Sequence, residues 1–228
     1  MPLPGSDEIH VWDIDLDRVS ADAAVLSCRD AGTQPVDATQ ASSGASLLAV
    51  LLSREERERA ARFRFDEHRA RFVAGRAALR TVLARYAGSA PAEIAFEYNR
   101  FGKPELAGGT RLRFNASHSS GRQFIAIACG REVGVDLERV RPGFAFEDIV
   151  RRFFPPGEGA GVSSAETFFR AWTRREAFLK ATGRGLSGLR TAAPPSWTVA
   201  DLDAGEGWAA AVAVKGRECR VVRRMFPT

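Results

Sequence analysis

Hydrophobic and polar positions change their period several times along this chain, and each change marks an element. Ile9-His10-Val11-Trp12-Asp13-Ile14-Asp15-Leu16 alternates, which predicts an opening strand. A helix is expected from Leu16 to Asp30. Residues 31–46 are rich in Ala, Thr, Ser, Gly and Gln with one Pro, the composition of a flexible connection. Ser53-Arg54-Glu55-Glu56 matches a capping box and starts a helix. A second helix is expected from Asp66 to Tyr86, where Phe72, Leu79 and Tyr86 form one stripe with Val82 and Leu83 beside it.

The later segments read mainly as strands. Ile94–Tyr98 is a strand and Asn99–Pro104 a turn. Leu112–Asn115 and Phe124–Ala128 are strands joined by a Ser/Gly-rich loop. Val133-Gly134-Val135-Asp136-Leu137-Glu138 alternates again, so Asp136 and Glu138 share a face. Phe153-Phe154-Pro155-Pro156-Gly157 stops a helix. Another helix runs from Ala165 to Thr182 and closes at Gly183; Glu176 and Lys180 are neighbours on it. The tail from Ser196 to Met225 predicts two or three strands, with Trp208–Val214 buried. Arg76-Ala77-Ala78-Leu79-Arg80 faintly echoes Glu176-Ala177-Phe178-Leu179-Lys180, as two related halves would.

Composition narrows the classes. The 228 residues are 45% hydrophobic and 27% charged, enough for one good-sized core or two small fused ones. A net charge of +5 suits an acidic or phosphate-rich partner, and equally an ordinary globular protein. Cys28, Cys129 and Cys219 are far apart and never form a C-x-x-C pair, which argues for a reducing compartment and against a disulfide framework or structural zinc. The N-terminus lacks the basic and apolar regions of a signal peptide, and the longest aliphatic run, Leu47–Leu52, is too short to span a bilayer. The expected location is the cytoplasm.

Three features carry candidate chemistry. Asp136, Glu138 and Glu176 form a hard oxygen set suited to magnesium, with no histidine or cysteine nearby in sequence. The alternative is a solvated strand face plus an ordinary Glu176–Lys180 ion pair. Asn115-Ala116-Ser117-His118-Ser119-Ser120-Gly121 reads as a loop able to bind an anion, or as a plain turn. Ser117 and His118 are adjacent on an extended chain and point to opposite faces, so they are not a nucleophile–base pair. Lys103 sits at the tip of Gly102-Lys103-Pro104 and is expected to be solvated unless a ligand reaches it. The arginines of the 54–71 stretch either grip phosphates or are balanced by Glu55, Glu56, Glu58, Asp66 and Glu67.

Taken in order, Gly102-Lys103-Pro104, Asn115-Ala116-Ser117-His118-Ser119, Gly134-Val135-Asp136-Leu137-Glu138 and the run from Trp172 to Leu186 resemble the surfactin-synthetase-activating type of 4′-phosphopantetheinyl transferase. The resemblance covers roughly residues 50–190. It implies an α+β fold of two pseudo-symmetric α/β halves, residues 1–130 and 131–228, each with helices packed on a small, mainly antiparallel sheet. It implies a monomer with coenzyme A in the cleft between the halves. It also implies that Asp136, Glu138 and Glu176 surround Mg2+, with Mn2+ an acceptable substitute. Lys180 contacts the pyrophosphate, Ser117 and His118 hold the 3′-phosphate end, Lys103 lies by the adenine, and Arg59 and Arg69 meet nucleotide phosphates. Arg175 stands where the family pattern has lysine, and Ala70 where it often has a hydroxyl. The implied reaction moves the 4′-phosphopantetheine arm to a serine of an apo acyl or peptidyl carrier protein and releases 3′,5′-ADP, with Glu176 as general base. Two rivals stand beside it: a basic nucleic-acid-binding protein, which explains the arginines but not the Asp-x-Glu strand, and a catalytically silent carrier-binding module, which magnesium-dependent release of 3′,5′-ADP would exclude.

Overall fold

The computed structural model describes residues 1–21, 48–155, 157–185 and 192–227. The elements, in order, are β1 (Glu8–Asp15), α1 (Leu16–Ala21), α2 (Arg54–Ala61), α3 (Asp66–Ala87), β2 (Phe96–Tyr98), β3 (Pro104–Leu106), β4 (Leu112–Ser119), β5 (Arg122–Cys129), β6 (Val133–Arg139), α4 (Glu147–Phe153), α5 (Ala165–Thr182), β7 (Trp197–Asp201), β8 (Trp208–Lys215) and β9 (Arg220–Met225). The expected 31–46 connection, and the expected first helix beyond Ala21, lie outside the described residues.

Two sheets face each other, and helices cover their outer faces. One has the order β4-β5-β1-β9, the other β6-β8-β7, and β2-β3 form a small separate ribbon. The period-2 pattern of β1 serves two cores at once. Ile9 and Val11 pack with Phe124, Val133, Val135, Leu137, Val212 and Val214 between the sheets. Trp12 and Ile14 point the other way, into the core under α1 and α3 with Val73, Leu79, Val82 and Leu83. The second sheet does the same: Val135 and Leu137 face the first sheet, while Ala211 and Ala213 of β8 pack against Ala177, Phe178 and Ala181 of α5. This mixed α+β architecture matches the expected fold class. The segments that echo each other in sequence lie on α3 and α5, the two long helices that cover the outer faces.

All strand pairs but one are antiparallel. β9 joins β1 in parallel, Ile9 opposite Val221 and Val11 opposite Arg223. The last strand of the chain thus completes the sheet begun by the first.

The capping box at α2 forms as the sequence predicts, with Ser53 and Glu56 bonded reciprocally. Glu56 then does more than cap. It is buried and accepts from both Arg76 and Arg80, the latter at 2.7 Å, while Arg80 also donates to the Ile94 carbonyl at 2.8 Å. Other members of the basic 54–71 stretch are likewise paired: Arg54 with Glu58, and Arg71 with Asp17 and Glu67.

The contact that positions the site is between α5 and β6. A Cβ added to Gly134 of β6 would lie 2.1 Å from the Ala177 carbonyl oxygen and 2.3 Å from the Ala181 nitrogen, both backbone atoms that cannot turn aside. Only glycine lets the helix rest on the strand at this depth. Gly134→Ala is expected to destabilise the fold by about 3 kcal/mol or more. Gly161→Ala, at a site with nothing within 4 Å of the added atom, should stay within about 0.5 kcal/mol. Urea unfolding of the two variants checks the contrast.

Candidate functional site

Asp136 and Glu138 stand on the face of β6 that α5 covers, two and four residues past Gly134 on the same side. Asp136 is only 3% exposed. Its Oδ1 accepts from Ser117 Oγ at 2.8 Å and from Lys180 Nζ at 2.5 Å, and Lys180 also donates to Ser117 Oγ at 2.9 Å. Lys180 therefore pairs with the strand carboxylate, which corrects the alternative reading of an ordinary ion pair with Glu176 along the helix. Asp136 Oδ2 is buried and has no hydrogen-bond partner among the described residues.

Burial first, and then the Asp136 charge, push the Glu138 carboxyl above the usual 4.5. The same two causes in the same order raise Glu176. The three carboxylates thus feel one another across a low-dielectric pocket. Among the described residues, however, no three His, Cys, Asp or Glu side chains form a group that could hold a metal ion as placed.

The segment 115–121 differs from its expected form. It is not a loop: β4 runs on to Ser119 and pairs with β5 throughout, His118 opposite Gln123, with a tight turn at Ser120 and Gly121. The polar residues have a strand role. Asn115 Oδ1 accepts the Val135 N–H at 2.9 Å, Ser117 Oγ the Leu137 N–H at 3.3 Å, and Ser119 Oγ the Arg139 N–H at 3.1 Å. Alternate side chains of β4 thus take the place of a neighbouring backbone along the edge of β6. Ser119 Oγ also donates to Glu138 Oε2 at 3.0 Å. Asn115 and Ser119 are the functional positions that motif reading leaves without a role. Their signal was the N-x-S-x-S spacing, which puts three polar oxygens on one strand face.

Lys103 also departs from expectation. Its ammonium is buried, not solvated at a turn tip: Nζ donates to Glu132 Oε2 at 2.9 Å, to the Ala181 carbonyl at 2.8 Å and to the Val133 carbonyl at 3.3 Å. All three of its protons are satisfied within the protein. The turn before it is fixed as well. Asn99 Nδ2 donates to the carbonyl of Gly183, the left-handed residue that ends α5. Lys103 and Asn99 together clamp the last turn of α5 to the start of β6.

Beside the clamp lies a cleft of about 280 Å³. Phe101, Lys103, Pro104 and Asn115 line one wall, and Glu176, Leu179, Lys180 and Gly183 the other. His118 is exposed as a residue, but partial desolvation of its imidazole, then the Lys180 and Arg59 charges, lower its pKa. Arg59 is exposed on α2, stacked over Phe72, and lines a surface hollow with Arg62. Arg69 is engaged locally instead, with Asp66 at 3.1 Å and the Phe63 carbonyl at 3.2 Å. The structure thus gathers Asp136, Glu138, Glu176, Lys180 and Ser117 at one place and sets His118 and Arg59 beside it. Among the described residues, no helix is long and apolar enough to cross a membrane.

The raised carboxyls have a consequence for stability. A carboxyl whose folded pKa exceeds its unfolded value binds more protons when folded, so stability falls as pH rises from the ordinary 4.5 through the raised folded value. Glu176→Gln, which keeps the shape and removes the charge, should therefore raise Tm at pH 8 without divalent cations. The gain should shrink to nothing as pH falls below the ordinary carboxyl range. Thermal unfolding across pH checks this, and an equal gain at every pH would contradict it.

The chain as a whole resembles known proteins. The profile described as "4'-phosphopantetheinyl transferase, N-terminal" matches residues 39–131, and that of the 4'-phosphopantetheinyl transferase superfamily matches residues 132–220. The chain is 36% identical to the 4'-phosphopantetheinyl transferase HetI of Nostoc sp., over 92% of this chain and 89% of that protein. It is 35% identical to a phosphopantetheinyl transferase of Thraustochytrium sp., over 72% of this chain and 62% of that one. Against the transferase Sfp of Bacillus subtilis the identity is 30%, over 60% of this chain and 62% of the relative. The chain belongs to the 4′-phosphopantetheinyl transferase superfamily and is a transferase enzyme.

Proposed function

We propose that this enzyme transfers the 4′-phosphopantetheine arm of coenzyme A to a serine of an apo acyl or peptidyl carrier protein and releases 3′,5′-ADP. The observation that carries this reading is Lys180 Nζ held between Ser117 Oγ and Asp136 Oδ1 at the edge of a cleft. A cation is thereby fixed where a pyrophosphate can lie. The cleft has one wall from residues 101–116 and the other from residues 176–185, which supports binding between a half formed by residues 1–130 and one formed by 131–228. One chain supplies both walls, in keeping with a monomer.

The carboxylates fit Mg2+ in chemistry. Asp136 Oδ2 is an orphaned buried acceptor, and Glu138 and Glu176 carry raised pKa values partly because of their neighbour's charge. Asp136, Glu138 and Glu176 would hold a hard divalent ion once their side chains converge on it, and its charge would relieve both conditions. When bound, it neutralises charge on the pyrophosphate.

The protein's own residues do the rest. The carrier serine oxygen attacks the β-phosphorus of coenzyme A, and the phosphorus–oxygen bond to 3′,5′-ADP breaks. Glu176 accepts the serine proton, and its raised pKa makes it a stronger base than an exposed glutamate. Lys180 donates to the pyrophosphate as charge grows on the leaving group. Ser117 orients Lys180 and Asp136 together. His118 and Arg59 lie where a 3′-phosphate can meet them. Lys103, with its ammonium committed to three protein acceptors, offers the adenine side its aliphatic stem.

In the direct test, an apo carrier is incubated with the enzyme, coenzyme A and Mg2+, and its intact mass is measured. The carrier should gain one phosphopantetheine on serine. Asp136→Ala should lose turnover by at least about 10²-fold, as should Glu176→Gln. A broad carrier panel with no mass gain from the folded wild type would sink the reading. Recognition of the 3′-phosphate is tested separately: His118→Ala should weaken coenzyme A more than 3′-dephospho-coenzyme A. Equal weakening of the two, by calorimetry, would remove His118 from that role.

A further inference from the structure

A second pocket, of about 250 Å³, lies on the opposite flank of α5 and shares no lining residue with the cleft. Phe154, Ala171, Phe178, Ala193 and Val199 form the apolar part of its wall, and Glu158, Arg174 and Arg175 the charged part. Arg175 is 7% exposed. Its Nη1 donates to Glu158 Oε2 at 2.7 Å, and the guanidinium lies 5.3 Å from the centre of the Phe154 ring. Those two contacts fix the plane of the group. Its Nε and Nη2 are buried and have no hydrogen-bond partner among the described residues.

These two nitrogens form one edge of the guanidinium, the edge that takes a carboxylate side-on through two parallel hydrogen bonds. Buried donors left unmet are costly, and the apolar part of the wall offers them nothing. The local charge also favours an anion. Arg170 and Arg174 share Asp201, and Arg175 has Glu158, so three guanidiniums face two carboxylates.

We infer that this pocket is a second ligand site and takes a short monocarboxylate, its oxygens on the Nε–Nη2 edge of Arg175 and its apolar tail against Phe154 and Phe178. The site goes beyond the transfer reaction and does not depend on it. A lysine here, as the family pattern has, would keep the charge but not the two-pronged edge. The carboxylate site is therefore a property of this chain's arginine.

The test uses butyrate as the probe on the full chain, with NaCl holding ionic strength constant and butyramide as the neutral shape control. The readout is the arginine side-chain Nε–H signals in nitrogen–proton NMR spectra. The Arg175 signal should shift saturably with butyrate, with half-saturation at about millimolar concentration, and should ignore butyramide. Arg175→Lys should weaken butyrate binding, followed by calorimetry, by roughly tenfold or more. Ala171→Leu fills the pocket without changing charge and should abolish binding, which covers the case of an Arg175 variant that fails to fold. No saturable shift, an equal response to butyramide, or undiminished binding in the Ala171 variant would overturn the site.

Discussion

Helix α5 lies on β6 with backbone against backbone, and only the missing side chain at Gly134 permits it. That approach fixes the distance from which Glu176 and Lys180 look down on Asp136 and Glu138. Lys103 and Asn99 then hold the end of the helix, so it is pinned at its last turn as well as along its length. Without this contact the carboxylates would belong to two separate surfaces, and a lysine on the helix would have no reason to meet an aspartate on the strand.

The seam between the sheets shows a second economy of atoms. β4 and β6 are not joined by a backbone ladder. Asn115, Ser117 and Ser119 satisfy the β6 amides with side-chain oxygens, and two of the same hydroxyls donate to Asp136 and Glu138. The residues that join the sheets therefore also aim the acids. Such an arrangement packs negative charge into a poorly solvated place, and the raised carboxyls of Glu138 and Glu176 are the physical sign of it. The enzyme holds its acids under mutual electrostatic tension.

Much of this was legible in the sequence where the signal is local. Period-2 alternation put Asp136 and Glu138 on one face, and a helical run with a closing glycine put Glu176 beside Lys180. What was not legible depends on partners distant along the chain. Gly102-Lys103-Pro104 has the composition of an exposed turn, and nothing near it announces that residues 132, 133 and 181 will supply three acceptors. Asn115 to Gly121 is polar and small enough to read as a loop. Its polarity in fact serves the neighbouring strand, a demand that only the meeting of two sheets creates. The 54–71 arginines carry no mark separating Arg59, which is exposed beside His118, from Arg69, which bonds to Asp66 and the Phe63 carbonyl.

The parallel pairing of β9 with β1 bears on how the molecule is made. A ribosome delivers β1 well before β9, so β1 waits with one edge unclaimed while everything between them is made. During that interval the edge is a template for any other nascent strand. Its eventual partner arrives only after the second sheet and α5 have emerged. The first sheet is closed by β9, and its closure reports that everything between β1 and β9 has already been translated.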